Sequence, residues 1–162
     1  MRRERRVEQL LMENYEKYYR LALSYVHNED DAGDIVQNGA YKAILKSGSL
    51  KNPDYASTWI YRIMLNEIFN FYRERQPVSL EEMEQERNLL SAEDTYENFD
   101  LRKALDGLEK EDKAVVELRY FEDMKLEEIS EILNENVNTV KSRLYRSLKK
   151  LRVKLGGQEE AI

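Results

Sequence analysis

Seven basic side chains lie between Asn136 and Leu155 with no acidic residue among them. Lysine and arginine neutralise phosphates, and each neutralised phosphate of a nucleic acid releases counterions, which gives affinity for any base sequence. Apolar residues recur between the basic ones at the spacing of one helix face. The stretch therefore predicts a basic amphipathic helix that binds nucleic acid. The basic residues are Lys141, Arg143, Arg146, Lys149, Lys150, Arg152 and Lys154, and the apolar ones are Val140, Leu144, Leu148, Leu151 and Leu155.

A shorter helix and a tight turn precede this basic helix. Apolar spacing from Leu126 to Leu133 predicts the shorter helix, with glutamates on its solvated side. Asn134 suits the left-handed conformation that ends a helix, and Asn136 suits the N-cap of the next one. Two helices around such a turn form a helix-turn-helix, whose second helix reads bases in the major groove with residues near its start. The candidates for base contacts are Asn138, Thr139, Lys141, Ser142, Tyr145 and Arg146.

A basic amphipathic helix can also be a plain solvated surface or a helix that binds a protein partner, because basic runs are common. The shorter helix and the turn before it favour DNA binding over both alternatives.

Aromatic, arginine and amide side chains are interleaved along a predicted helix from Tyr55 to Arg75. Such a mixture suits single-stranded nucleic acid, because bases stack on aromatic rings and arginines neutralise the backbone. A helix buried on most sides with one polar edge has a similar pattern, and the residues alone leave both interpretations open. The polar and aromatic candidates are Tyr61, Arg62, Asn66, Asn70 and Arg73.

Three aspartates, Asp30, Asp31 and Asp34, cluster at the predicted start of a further helix. Asp30 or Asp31 is expected to be the N-cap, and all three suit the positive end of the helix dipole. A metal site, and with it a metal-dependent phosphohydrolase, is the weaker hypothesis, because no general base, nucleophile or phosphate-binding glycine loop accompanies the acids. The sequence predicts no metal, no cofactor and no enzymatic activity.

Composition excludes several kinds of functional site and several classes of protein. The 162 residues include no cysteine and one histidine, His27, which excludes disulfides, thiol nucleophiles and the usual zinc ligand sets. His27 is expected at the surface near a helix end. No apolar run approaches the roughly 20 residues of a membrane span, and the basic N-terminus lacks a signal-peptide pattern, so a cytoplasmic protein without membrane insertion is predicted. The net charge of −6 does not argue against DNA binding, because the acids crowd the middle of the chain and the bases its C-terminal helix.

Helical periodicity recurs along the chain and no strand pattern is found, so the predicted fold class is all-α. Turn-forming residues predict a loop from Ser47 to Asp54, and an acidic run around Pro77 predicts a mobile linker between two small helical domains. Phe121 is expected to face the hydrophobic core of the second of these domains. Helices are predicted from Val7 to Val26, from Tyr55 to Arg75, from Leu101 to Leu108 and from Lys113 to Phe121. A further helix is predicted to begin after Asp31, and the two helices of the helix-turn-helix complete the set. The predicted limits are 1–76 for the first domain, 77–98 for the linker, 99–156 for the second domain and 157–162 for a disordered tail.

Two stretches, one in each predicted domain, resemble the same family. LRYFEDMKLEEISEILNENVNTVKSRLYRSL, from Leu118 to Leu148, is similar to the C-terminal domain of bacterial RNA polymerase sigma factors. DDAGDIVQNGAYKAI and STWIYRIMLNEIFNFYRER resemble the N-terminal domain of the same proteins in their extracytoplasmic function (ECF) class. Both motifs in this order, with a short linker between them, are highly specific. The resemblance covers roughly Glu8 to Leu155 and implies a sigma-2-like helical domain and a sigma-4-like helix-turn-helix domain.

This resemblance implies a non-enzymatic subunit that binds core RNA polymerase, directs it to promoters and helps to open the duplex. The implied partners are the clamp helices of the largest polymerase subunit, the flap of the second, promoter DNA in duplex and single-stranded form, and an anti-sigma factor. The acidic linker is expected to lie toward the RNA exit path.

The resemblance also assigns residues to these partners. Residues implied to bind the polymerase clamp are Asp31, Asp34, Ile35, Val36 and Gln37. The resemblance implies a loop that captures a flipped base of the −10 element, with the candidates Leu50, Lys51, Asn52 and Asp54. It also implies a helix face that holds the displaced strand, formed by Tyr61, Arg62, Asn66, Asn70 and Arg73. Contacts in the major groove of the −35 element are implied for Asn138, Thr139, Lys141, Ser142, Arg143, Tyr145 and Arg146.

The sequence departs from the family pattern at several positions. Gly39 and Ala40 replace a larger residue and an aromatic one, and Lys125 replaces the usual Ser or Thr N-cap, a loss that typically costs about 1 kcal/mol. Glu135 and Asn138 replace an apolar residue and a glycine near the turn.

The alternative function is a stand-alone helix-turn-helix transcriptional regulator. It predicts tight duplex binding without polymerase at a palindromic site, whereas a sigma factor predicts weak binding alone and an asymmetric two-part site.

Overall fold

The computed structural model describes residues 2–74 and 96–156. Helices are the only regular elements in these two ranges, and the prediction of an all-α fold is confirmed. The chain divides between Val78 and Ser79 into two compact units. Residues 77–95 of the predicted linker and the predicted tail at 157–162 lie outside the described residues, so the domain limits stay predictions. No helix in the described ranges is long and apolar enough to cross a membrane.

Over residues 2–74, the N-terminal unit is built from four helices that pack against one another. Its largest fully buried side chains are aliphatic or aromatic and include Tyr18, Tyr25 and Ile60. Burial of such side chains, at about 1.5–3 kcal/mol each, supplies most of the stability of the unit. The helices are α1 (Arg2–Glu13), α2 (Tyr15–Val26), α3 (Glu29–Leu45) and α4 (Ala56–Glu74), and the loop between α3 and α4 contains the 3-10 turns Ser47–Ser49 and Pro53–Tyr55.

The single helix predicted from Val7 to Val26 is interrupted at Asn14. The side-chain amide of Asn14 donates to the carbonyl of Leu10 at 3.1 Å, and such bonds compete with the helical backbone. His27 is 8% exposed, so its predicted surface position was wrong. It ends α2 in the left-handed conformation, with φ of 56°, and this chain reversal turns the residue toward the unit.

Asn28 caps α3, and the prediction that Asp30 or Asp31 does so was wrong. The Asn28 side chain is directed back over the helix end and accepts a hydrogen bond from the backbone N–H of Asp31 at 2.9 Å. Further along α3, a Cβ atom placed on Gly39 would lie 2.5 Å from Sδ of Met64 on α4. Glycine therefore gives the methionine its space, and the departure from the family pattern at this position has a packing reason.

The described part of the C-terminal unit, residues 96–156, is also helical. Its buried core includes Val115, Leu118 and Ile129. Phe121 is 54% exposed, so the prediction that it faces the core was wrong; it ends a π-helical turn, which inserts an extra residue and rotates the side chains that follow. The elements are α5 (Tyr96–Asp106), α6 (Lys110–Val116), the π-helical turn Glu117–Phe121, α7 (Leu126–Leu133) and α8 (Val137–Lys154). Helix α5 starts before the predicted Leu101 and includes residues 96–98 of the predicted linker.

A buried ammonium group lies in this unit. Lys113 is 3% exposed, and its Nζ lies 3.3 Å from Oδ1 of Asp106. Burial lowers the pKa of Lys113, while the nearby charges of Asp106 and Glu117 act in the opposite direction.

Candidate nucleic-acid interface

The turn between α7 and α8 has the predicted geometry. Asn134 adopts the left-handed conformation with φ of 55°, and the Asn136 side chain accepts from the N–H of Asn138 at 2.8 Å. Both asparagine predictions are confirmed. At the other end of α7, Glu128 accepts a hydrogen bond from the N–H of Lys125 at 3.2 Å. This bond satisfies one backbone donor where Lys125 supplies no side-chain cap.

Helix α8 buries one side and exposes the other. Val140, Leu144, Ser147 and Leu151 are buried, and the helix packs against α6 and α7. The opposite side carries polar, aromatic and basic groups that extend into solvent. The predicted base-contact residues that are exposed are Asn138, Thr139, Lys141, Ser142, Tyr145 and Arg146. Their exposure leaves them available to DNA, and the contacts themselves stay predictions.

Arg143 differs from the other predicted contact residues. Its guanidinium donates to both carboxylate oxygens of Glu135, at 2.8 and 2.7 Å, and to Oδ1 of Asp112 at 2.8 Å. Its side chain is 18% exposed. The hydrogen bond to Glu135 raises the pKa of Arg143, burial opposes that shift, and the bond to Asp112 adds to it. Three of the five N–H donors of Arg143 are engaged within the unit, so the structure favours a bracing role for this residue over base contact.

Asp112 is a residue of this interface that the sequence reasoning missed. It lies in the first turn of α6, is fully buried, and accepts from Arg143 and from Nη2 of Arg146 at 3.2 Å. The side chain of Arg146 remains 50% exposed. Asp112 therefore links the core to the two arginines in the middle of α8. Its sequence signal, an acid in the first turn of a helix, also fits simple stabilisation of the helix dipole.

The loop from Ser47 to Tyr55 in the N-terminal unit is held at several points. Leu50 is 2% exposed and anchors the loop in the core. Asn52 accepts from the N–H of Asp54 at 3.0 Å, and Arg3 of α1 donates to the carbonyl of Lys51 at 3.4 Å. Lys51, Asn52 and Asp54 are exposed as a DNA-binding loop requires, whereas the side chain of Leu50 is not available.

The predicted strand-binding face of α4 is only partly exposed. Tyr61 is 3% exposed and packs edge-on against Tyr18, with 5.1 Å between ring centroids, so its side chain belongs to the core. Arg62 is partly exposed, and its guanidinium lies 6.0 Å from the ring centroid of Tyr55 in the loop.

The remaining predicted residues of α4 are Asn66, Asn70 and Arg73, of which Asn66 and Arg73 are exposed. Arg73 donates to Oδ1 of Asn70 at 2.8 Å. Asn70 also lines the acidic groove described next, which it shares with Asp34.

A shallow groove of about 370 Å³ lies between α3 and α4. Asp34 is exposed at its α3 side. Elsewhere on α3, Gln37 is exposed and Asp31 is partly exposed. Ile35 and Val36, by contrast, are 3% and 1% exposed. The two apolar residues therefore support the helix, and the polar ones are available to a partner. Within the described ranges no three acidic or histidine side chains are arranged to hold a metal ion. The groove is lined by Asp34, Ile35, Asn38, Glu67, Asn70, Phe71 and Glu74.

Both units match models of known families. Residues 10–78 match the Sigma-70 region 2 family, and residues 98–151 match the Sigma-70, region 4 family. The RNA polymerase sigma factor SigV of Bacillus subtilis (strain 168) is 42% identical over 146 residues, which cover 90% of this chain and 88% of SigV. The ECF RNA polymerase sigma factor SigW of the same organism is 29% identical and covers 86% of this chain and 83% of its own length.

Two solved structures have the same fold. CnrH, in complex with the cytosolic domain of CnrY, matches with a TM-score of 0.73 at 23% identity and covers 93% of this chain and 87% of its own. The sigma factor RpoE of Bartonella quintana, in complex with the anti-sigma factor NepR, matches with a TM-score of 0.72 at 23% identity, over 94% of this chain and 98% of its own.

Proposed function

This chain is an RNA polymerase sigma factor of the ECF class, and we propose that it binds core polymerase through its N-terminal unit and recognises a two-part promoter with both units. Sigma factors are non-enzymatic initiation factors, and the chain is proposed to act in the cytoplasm with polymerase and without a cofactor. A stand-alone regulator is not favoured, because both family models and the relatives that span the chain are sigma factors.

The exposed side of α8 is the observation that supports promoter recognition most strongly. It presents Lys141, Ser142, Tyr145 and Arg146 within the first three turns of the helix, the part with which a helix-turn-helix meets base edges in the major groove. Arg146 can donate to a guanine while its contact with Asp112 limits its freedom of rotation. Arg143 keeps the helix in place instead of reading a base. Lys141, Ser142, Tyr145 and Arg146 are proposed to bind the −35 element.

The loop and α4 are proposed to bind the opened −10 element. Lys51, Asn52 and Asp54 are the exposed polar residues of the loop, and the buried Leu50 holds the loop in place. A flipped base requires a preformed pocket, since extrusion costs a few kcal/mol that pocket contacts must offset. Arg62, Asn66, Asn70 and Arg73 continue the polar surface along α4 for the displaced strand.

The acidic surface of α3 is proposed to bind the clamp helices of the largest polymerase subunit. Asp34 and Gln37 supply exposed acceptors for basic partner residues, Asp31 supplies a partly exposed one, and Glu74 adds negative charge across the groove. Glu67 is paired with Nζ of Lys42 at 2.6 Å. Contact with the flap of the second subunit is proposed for the C-terminal unit.

An anti-sigma factor is the remaining proposed partner. CnrH and the Bartonella RpoE were each solved in complex with another protein, in the second case an anti-sigma factor. Affinity purification of this chain from its native cell, followed by mass spectrometry, is expected to recover core polymerase subunits together with one small protein that prevents polymerase binding. Recovery of polymerase alone under every growth condition would contradict an antagonist.

Footprinting with and without polymerase separates the sigma factor from the stand-alone regulator. The purified chain is expected to protect DNA weakly by itself, and the complex with core polymerase is expected to protect two unequal elements. Strong protection of a palindrome by the chain alone would contradict the proposal. Core polymerase without the chain is the control, because it shows the DNA protection that does not depend on this subunit.

A further inference from the structure

Four arginines crowd the first turns of α1. Arg2, Arg3, Arg5 and Arg6 are all exposed, and Glu4 is the acid of the first turn. Cations at a helix N-terminus face the positive end of the helix dipole, so this arrangement works against the stability of α1. A basic cluster at an electrostatically unfavourable position indicates a binding role.

Three of these arginines share one face of the helix. Arg2, Arg5 and Arg6 line a shallow open depression of about 390 Å³ together with Gln9. Helical spacing of about 100° per residue turns Glu4 away from this face, so the depression has a strongly positive lining. Guanidinium groups bind phosphate oxygens in a bidentate manner, which makes a phosphate the ligand best matched to this lining.

Arg6, at the edge of the arginine face formed by Arg2, Arg5 and Arg6, lies one helical turn from Arg3, which reaches the loop proposed to capture a −10 base. Helix α1 packs against both 3-10 turns of that loop, and Arg3 donates to the carbonyl of Lys51 at 3.4 Å. From α4, the guanidinium of Arg62 lies 6.0 Å from the ring centroid of Tyr55, which ends the loop. Arg3 of α1 and Arg62 of α4 therefore both lie beside the loop.

We infer that Arg2, Arg5 and Arg6 form a further DNA site, which binds backbone phosphates next to the bases captured by the loop. The inference rests on the proposed function of that loop. A lipid surface fits less well, because the apolar side of α1, with Val7, Leu10 and Leu11, is buried in the unit and cannot enter a membrane.

The test compares two double variants assembled with core polymerase. Arg5→Gln/Arg6→Gln removes two charges from the arginine face, and Lys17→Gln/Arg20→Gln removes two exposed charges from α2 of the same unit. The DNA is a fluorescent fragment of a promoter that run-off transcription with this chain has first mapped, opened across its −10 element by mismatches. Its binding is measured by anisotropy over a series of salt concentrations. Each phosphate contact contributes about 0.7 to 0.9 to the slope of log affinity against log salt.

The arginine variant is expected to reduce that slope by about 1.5, whereas the α2 variant keeps the wild-type slope. The affinity lost by the arginine variant is then about eightfold greater at about 50 mM salt than at about 200 mM salt. Arg5→Lys/Arg6→Lys keeps both charges and is expected to retain most of the slope, which separates loss of charge from damage to the helix.

An unchanged slope in the arginine variant, or an equal decrease in both double variants, would overturn the inference. The inference would also be overturned if the arginine variant lost binding to phosphatidylserine vesicles while its slope of log DNA affinity against log salt stayed unchanged. That result would assign the arginine face to lipid binding. Failure of the proposed function has a different signature: the wild-type chain would then add no promoter binding to core polymerase, and the inference would fall with it.

Discussion

Replacing Asp112 with alanine is expected to destabilise the C-terminal unit by about 3 kcal/mol. The carboxylate is fully buried and accepts from Arg143 at 2.8 Å and from Arg146 at 3.2 Å. Removing one partner of a buried ion pair costs about 3 to 5 kcal/mol, because the other charge stays buried. Arg143 keeps both bonds to Glu135 and is 18% exposed, which places the loss at the lower end. The bond to the half-exposed Arg146 adds less than about 1 kcal/mol.

Urea unfolding of the full chain measures this loss. The sequence contains a single tryptophan, Trp59, which lies on α4, so its fluorescence reports on the N-terminal unit, whereas far-UV circular dichroism reports on both units. With a slope near 1 kcal/mol per M for so small a unit, the Asp112→Ala midpoint is expected to fall by about 3 M. The fluorescence transition is expected to keep its midpoint. Glu111→Ala, a change at the neighbouring and more exposed acid, is the matched control and is expected to cost less than about 0.5 kcal/mol.

A double-mutant cycle tests whether the ion pair causes the effect. Asp112→Leu/Arg143→Met replaces both charges with apolar groups, and it is expected to lose at least about 1 kcal/mol less than the sum of the two single changes. Strictly additive losses, or a loss below about 1 kcal/mol in Asp112→Ala, would refute the reasoning that a buried carboxylate braces α8.

Four further predictions concern separate parts of the molecule. Arg146→Ala is expected to weaken binding to the −35 element by about 1 to 3 kcal/mol and to leave polymerase binding intact; equal loss on all DNA sequences would reduce the residue to a phosphate contact. Asp34→Lys should abolish co-elution with core polymerase on gel filtration without altering the circular dichroism spectrum, and unchanged co-elution would contradict its docking role. Gly33→Ala, with open space at its Cβ, should raise unfolding stability by up to about 1 kcal/mol, whereas Gly39→Ala should gain nothing or lose stability in the same urea assay. Lys113 binds its proton less tightly when folded, so the unfolded chain holds more protons between the lowered pKa and 10.5; stability relative to Lys113→Met should therefore rise with pH in that window, and a fall would contradict the lowered pKa.

Local sequence signals predicted the helix-turn-helix correctly. Asn134 and Asn136 act within a few residues of their own positions, through a left-handed backbone and an N-cap, so their roles can be read without knowledge of the tertiary structure. The apolar spacing of α8 likewise predicted which side it buries.

The sequence did not reveal the roles of side chains whose partners lie far away in the chain. Arg143 resembles its basic neighbours in sequence, yet its carboxylate partners include Asp112, which lies 31 residues away in the chain. Tyr61 suits a stacking role by residue type, but Tyr18 of another helix encloses it. Leu50 lies in a segment of turn formers and anchors that segment in the core. In each case tertiary packing decides whether a side chain is available to DNA.

Run-off transcription tests the central claim most directly. Purified chain, bacterial core polymerase free of other specificity factors and a fragmented genomic template are combined, and the 5′ ends of the transcripts are mapped. The account predicts discrete starts, each preceded by the same asymmetric two-part element, and it predicts that they disappear with Asp34→Lys. Absence of added transcription, with DNA binding by the chain retained in the absence of polymerase, would contradict it.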